Sequence, residues 1–310
     1  MTTPKIMLIL SENWTITSSR NLRSLVDWAV MAEESGIDAV MLSEHISMGP
    51  SSSNEGIMAN PRAYAAPGNQ DPATPWPSSM LLLSAIASCT SKIRLFAGAI
   101  IVPLRHPVHL AKQLATLDLL SEGRLIVQPT VSWHKDEYQH LGIPFHKRGK
   151  LLDEHLEAWQ RLWNDTPASF EGEFYQFKDV YLEPKPYRKG GPVLWFGGQS
   201  LHKPLLRRLV KYGQGFHPFG APKAEELAQL AGAMQAAGRD ISELEMVGGI
   251  RATFPDINSP ADLNQALTSI PPQLAQGYST ICVKPNQFID DATQMRAFCE
   301  RVVQGVAMMG

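Results

Sequence analysis

The sequence predicts an α/β fold, a TIM (β/α)8 barrel with insertions after the second and fourth strands. Three observations lead there. Short apolar runs alternate with stretches of helical spacing about eight times, which implies a parallel sheet covered by helices. Several apolar runs end in polar residues, the pattern of strands that deliver side chains to one open face. The 310 residues hold eight strand–helix units with room for two insertions, since such a barrel needs ~250. An open doubly wound sheet is the competing architecture. No charge run, low-complexity tract or linker divides the chain, so residues 1–310 read as one domain.

The elements follow in order. Lys5–Leu10 is an apolar run ending at Ser11-Glu12-Asn13, which suits a buried strand. Leu22, Leu25, Val26, Ala29, Val30 and Ala32 recur at helical spacing, with Ser18 or Ser19 as cap and Gly36 as stop. Asp38–Leu42 is the second strand, Ser78–Ser88 a helix and Ile93–Val102 a strand. Pro107–Leu120 is a helix opened by proline, and Arg124–Val127 the next strand. Lys150–Trp163 is amphipathic, with Trp159 and Trp163 read as core packing. Val193–Phe196, Gly215–His217, Glu245–Ile250 and Ser279–Val283 are strands. Leu201–Tyr212, Lys223–Ala237, Ala261–Ser269 and Asp291–Ala307 are the helices between and after them. Residues 47–77 are far longer than an ordinary βα loop and form a candidate lid at the barrel mouth. Residues 165–191, with Phe170, Phe174, Tyr175, Phe177 and Tyr181, suggest a hairpin excursion.

Composition narrows the function. Lys plus Arg is 28 and Asp plus Glu is 30, a net charge of −2, which argues against nucleic-acid or membrane-surface binding. Cys89, Cys282 and Cys299 are widely spaced, so neither a disulfide framework nor a thiolate zinc site is expected. The start carries no signal-peptide pattern, and apolar runs such as Met80–Leu83 fall far short of a membrane span. A cytoplasmic protein is the expectation. P-loop, dinucleotide-fingerprint and nucleophile-elbow motifs are absent from the sequence.

Chemistry in a barrel of this kind gathers at the C-terminal strand ends. Those ends read Ser11-Glu12-Asn13, Ser43-Glu44-His45, Pro103 to His106, Gln128 to Trp133, Gly197 to Ser200, His217 and Arg251. His45 follows a buried strand and adjoins Glu44, so a carboxylate can orient it for proton transfer; a satisfied structural histidine is the other reading. Gly197-Gly198-Gln199-Ser200 lies between strand and helix, where backbone N–H groups can hold a phosphate; a tight turn explains it equally. His106 and His109 have no adjacent third ligand, so no metal is expected. Arg105 and His106 line the mouth or cap the next helix. Glu34, Glu122 and Asp153-Glu154 read as solvated helix faces.

Several stretches together resemble the bacterial luciferase-like oxidoreductases. They are Ala32–His45, Ile93–Pro107, Ala111–Arg124, Glu137-Tyr138, Gly142–Arg148, Asp153–Glu157, Leu182–Pro186 and Gly197–Ser200, in the family's order over residues 5–220. The resemblance implies a TIM barrel using coenzyme F-420, the leading choice, or FMN for two-electron transfer to or from a small, apolar organic substrate. By position it assigns His45 to the face of the redox ring as acid or base. Gly98 and Ala99 fall at a non-prolyl cis peptide or bulge behind the ring, and Thr130 beside it. Gly197, Gly198, Gln199 and Ser200 fall at the phosphate. Trp133 and residues of the long loop such as Trp76, with Glu12, would wall the substrate pocket. Partners would be the substrate, a separate flavin or deazaflavin reductase, and a second copy in a homodimer.

The departures bear on the branch. Val131 stands where the luciferase branch has a phosphate-binding arginine. The sugar-phosphate dehydrogenases have a catalytic carboxylate near Trp133 and a tryptophan near Gly49, neither read here. The pattern leans to the deazaflavin-type members. Three alternatives remain: an FMN-dependent two-component monooxygenase using oxygen, a flavin-binding protein without turnover, and a redox-free isomerase or aldolase. The last would need a Schiff-base lysine or a carboxylate pair at strand ends, and Lys284 is the only lysine so placed.

Overall fold

The computed structural model describes residues 3–309. Eight strands close a parallel barrel: β1 (Lys5–Ile9), β2 (Ala39–Leu42), β3 (Arg94–Ile101), β4 (Leu125–Thr130), β7 (Val193–Phe196), β8 (Gly215–Phe216), β9 (Glu245–Gly249) and β10 (Thr280–Val283). Around the ring the order is β1-β10-β9-β8-β7-β4-β3-β2, so every barrel strand except the closing pair neighbours its sequence predecessor. β5 (Ala168–Glu171) and β6 (Gln176–Val180) form an antiparallel hairpin outside the ring.

Side-chain alternation splits the core in two, as strands buried on both faces require. Met7, Ile9, Met41, Phe96, Ile126 and Trp195 fill the barrel interior. Ile6, Leu8, Val40, Leu95 and Val127 face outward to the helices. Phe96 and Trp195 meet at 4.8 Å between ring centroids, so the interior is packed rather than hollow.

The helices are α1 (Arg23–Glu34), α2 (Ser79–Cys89), α3 (Pro107–Leu120), α4 (Lys135–His140), α5 (Arg148–Asn164), α6 (Lys203–Tyr212), α7 (Ala224–Ala236), α8 (Leu263–Leu267), α9 (Ile270–Ala275) and α10 (Met295–Ala307). On α5, Trp159 and Trp163 stack at 5.2 Å and are almost fully buried, which is core packing. His106 caps α3, its Nδ1 accepting the Val108 N–H. No helix among the described residues is long and apolar enough to cross a membrane.

Several expectations shift. Neither Ser18 nor Ser19 caps α1; its N-cap is Leu22, without a side-chain bond. The Asn21 N–H bonds to the Ser18 carbonyl, so the serines are spent in a turn before the helix begins. The expected helix 261–269 continues as two short pieces, because Pro271 and Pro272 lack the N–H groups that would join them. β4 runs on to Thr130, since its pairing with β3 resumes after the irregularity between Gly98 and Ile100. Asp153 and Glu154 are not merely solvated. Asp153 pairs with Arg207 and Arg208, and Glu154 accepts the N–H groups of Glu173, Phe174 and Tyr175, which pins the hairpin to α5.

Candidate active site

The C-terminal strand ends gather most of the polar residues singled out above. His45 follows β2 and is nearly enclosed. Its Nδ1 lies 3.0 Å from Glu137 Oε2. Glu137 is completely buried. Its Oε1 accepts the Ile46 N–H at 2.7 Å, and the Ser132 hydroxyl donates to Oε2 at 3.3 Å. Burial alone would raise the Glu137 carboxyl. The hydrogen bonds from His45 and from the backbone of Ile46 and Ser47 outweigh it and hold the pKa below the usual carboxylate range.

The carboxylate beside His45 is therefore Glu137 and not its sequence neighbour Glu44. Glu44 turns the other way, into a buried pair with Arg105 at 2.5 and 2.8 Å, and accepts the Ile101 N–H. Successive residues leaving a strand point to opposite sides, so Glu44 and His45 cannot share a direction. Glu137, four residues beyond Trp133, also supplies a carboxylate where none was read.

Helix α4 carries this arrangement and ties the mouth loop down. His134 Nε2 accepts the Gly49 N–H at 2.9 Å, and Asp136 accepts the Ser51 N–H at 3.0 Å. Burial lowers the His134 pKa, consistent with a neutral ring that accepts. Gly49 is required by this approach: a Cβ there would lie 2.3 Å from Asp136 Oδ2. α4 is only six residues long and has no periodicity to read. Its signals are the acidic first turn, Asp136 and Glu137, and Gly142 beyond its end at φ +68°.

Two tryptophans flank His45. The Trp76 ring lies 4.9 Å and the Trp133 ring 5.8 Å from the imidazole, both edge-on. Trp76 Nε1 is buried without a hydrogen-bond partner. Gly98-Ala99 is a cis peptide within β3, and Thr130 ends the neighbouring β4. Glu12, at the end of β1, holds φ +55° and accepts from the Gln70 side chain at 2.9 Å.

The diglycine turn stands across the ring, after β7. Gly197 presses against β8: a Cβ would come within 1.8 Å of the His217 carbonyl oxygen, so only glycine fits. The N–H groups of Gly198, Gln199 and Ser200 have no protein acceptor among the described residues, whereas the Leu201 N–H is already taken by Glu226. His217 bonds to Gln128 at 3.0 Å, and enclosure pushes its pKa down to about 4, so it is neutral near pH 7. No group of three or more His, Cys, Asp or Glu side chains among the described residues is placed to hold a metal.

Comparison with known proteins adds the lineage. The family model described as luciferase-like monooxygenase matches residues 5–261. An uncharacterized protein of Mycobacterium tuberculosis is 42% identical over 121 residues, which are 39% of this chain and 41% of that one. An FMNH2-dependent dimethylsulfone monooxygenase of Pseudomonas putida is 33% identical over 125 residues, 39% of this chain and 34% of that one. These curated relatives are thus matched over about two-fifths of their length or less. Among solved structures, an F420-dependent secondary alcohol dehydrogenase superposes with TM-score 0.71 at 16% identity, covering 98% of this chain and 99% of the other. At that identity the likeness concerns the fold.

Proposed function

The chain belongs to the luciferase-like monooxygenase family, and from that premise we propose that it is an oxidoreductase acting on a small organic substrate with coenzyme F-420 or FMN. The observation that carries the reading is the His45–Glu137 pair, with the Trp76 and Trp133 rings edge-on to the imidazole.

The residues fit such a group. A flat ring suits an aromatic-sided mouth, and the orphaned Trp76 Nε1 is a donor awaiting an acceptor. The free N–H groups of Gly198, Gln199 and Ser200 match the chemistry of a phosphate. Glu226 already occupies Leu201, which leaves that upstream trio to hold it. Gly98, Ala99 and Thr130 would border the ring. When bound, the group supplies two-electron transfer, as hydride.

The chain's own part is orientation and proton handling. Glu137 fixes the imidazole by taking Nδ1, which leaves Nε2 to exchange a proton with the substrate. This tautomer follows from the hydrogen-bond network. The Trp76 and Trp133 rings pack edge-on against that imidazole, and Glu12 borders the same cleft as Trp76. The FMN arm makes the protein a monooxygenase served by a separate reductase, and the F-420 arm makes it a dehydrogenase or reductase. Anaerobic and aerobic turnover with each reduced cofactor separates the arms. Oxygen-independent turnover with F-420 supports the leading arm, and strictly oxygen-dependent turnover with FMN supports the other. No turnover with either across a broad panel of ketones, alcohols and sulfur compounds would overturn the reading.

A further inference from the structure

Lys284 follows β10, next to β1 in the ring and two strand ends from His45. It is 1% exposed, among the largest fully buried side chains. Its ammonium makes no hydrogen bond to any described residue. Its one charged neighbour, Glu12 Oε2, is 3.8 Å away, beyond hydrogen-bond length. Nζ also lies 5.4 Å from the centre of the ring of Tyr64, a residue of the mouth loop. Half of Tyr64 is exposed, yet desolvation of its hydroxyl, with smaller contributions from Cys282 and Glu12, raises its pKa and keeps the proton on.

A lysine kept for structure would spend its donors on carbonyls, as Lys185 does on Leu162 and Asp165. Burying an ammonium with its donors idle is costly, so a group that supplies an acceptor gains by binding there. Glu12 already balances the charge. An anionic ligand would crowd two negative groups around one ammonium, whereas a neutral oxygen adds a hydrogen bond without displacing anything. One cleft is lined both by Glu12, the carboxylate nearest Lys284, and by Trp76, the ring that flanks His45.

We propose that Lys284, with the Tyr64 hydroxyl beside it, binds the oxygen of the substrate, and that the substrate is therefore a neutral carbonyl compound or alcohol. This rests on the oxidoreductase reading, and it narrows the substrate class: hydride added to or taken from the carbon leaves the negative charge, or the proton, to be managed at that oxygen. Burial lowers the Lys284 pKa, and the neighbouring Glu12 carboxylate opposes that lowering.

The test needs no turnover. Cyclohexanone and its oxygen-free counterpart methylenecyclohexane are titrated against the purified protein, with and without each cofactor, by ligand-observed NMR. The ketone should bind at least about tenfold more tightly, since a hydrogen bond to a charged donor is worth that much or more. Lys284→Met should erase the preference. Tyr64→Phe, on an exposed loop where folding is not at risk, should reduce it severalfold. Equal binding of the two probes, binding of neither, or a preference that survives in both variants overturns the proposal. The two readings fail separately: a Lys284-dependent ketone preference with no binding of FMN or F-420 would sink the redox function and leave this site standing.

Discussion

The His45 corner and the Lys284 corner share one barrel mouth and are built in opposite ways. Around His45 the ionisable side chains are answered, although the Trp76 indole N–H is not: Glu137 accepts from His45, Ile46 and Ser132, and His134 accepts from Gly49. Around Lys284 the ammonium has a carboxylate at 3.8 Å, an aromatic face, and no hydrogen bond to a described residue. A completed network fixes a group in one geometry and contributes stability. An incomplete one stores binding capacity at the expense of stability. On the proposed reading, the difference separates machinery set in place by the fold from a group kept for a ligand.

The widest gap should open in turnover. His45→Ala is expected to lower kcat by about 10²–10⁴-fold, the range of a positioned acid or base, while cofactor affinity changes little. A loss below tenfold would remove His45 from the chemistry. Glu137→Gln should cost about 10–100-fold in kcat, because the ring loses the partner that sets its tautomer, with KM nearly unchanged.

Stability should then move in opposite directions at the two corners. Glu137→Gln is expected to lower unfolding free energy by about 1–3 kcal/mol, since the Ile46 and Ser47 N–H groups and Ser132 lose a charged acceptor. Lys284→Met should leave stability unchanged or raise it by about 1 kcal/mol, because an apolar chain replaces a buried cation whose partner Glu12 stays bonded to Gln70. Urea midpoints check both, and a fall for Lys284→Met matching that of Glu137→Gln would erase the contrast.

The smallest effect is in pH. The Glu137 pKa is lowered on folding, so its contribution is complete above the unfolded value of about 4.3 and fades as pH falls through the folded value. The stability difference between wild type and Glu137→Gln should therefore be flat from neutral pH down to about 5 and shrink below it. A difference that grows on acidification would contradict the assignment of that carboxylate.

The barrel was legible because its signals are local. Apolar runs such as Lys5–Leu10 and Asp38–Leu42 became β1 and β2, and prolines and glycines punctuate them. His45, Trp76 and Trp133 were each visible, and the fold brings their rings within 6 Å of one another's neighbour His45. Glu137 was not visible in that role, because its helix is too short for periodicity and its partner lies 92 residues away. Glu44 drew the assignment by adjacency, which a strand end defeats by pointing neighbours apart. Lys284 was placed at a strand end and read as a candidate covalent lysine. Its missing hydrogen bonds depend on what β1 and the mouth loop bring near it, which no local pattern encodes.

The central claim is that this mouth takes a planar redox group beside His45 and Trp76. Titration of the purified protein with FMN and with coenzyme F-420, following cofactor absorbance and quenching of tryptophan fluorescence, tests it directly. Saturable micromolar binding of one of the two, with quenching diminished in Trp76→Phe, is the predicted result. Absence of saturable binding by both would contradict the account.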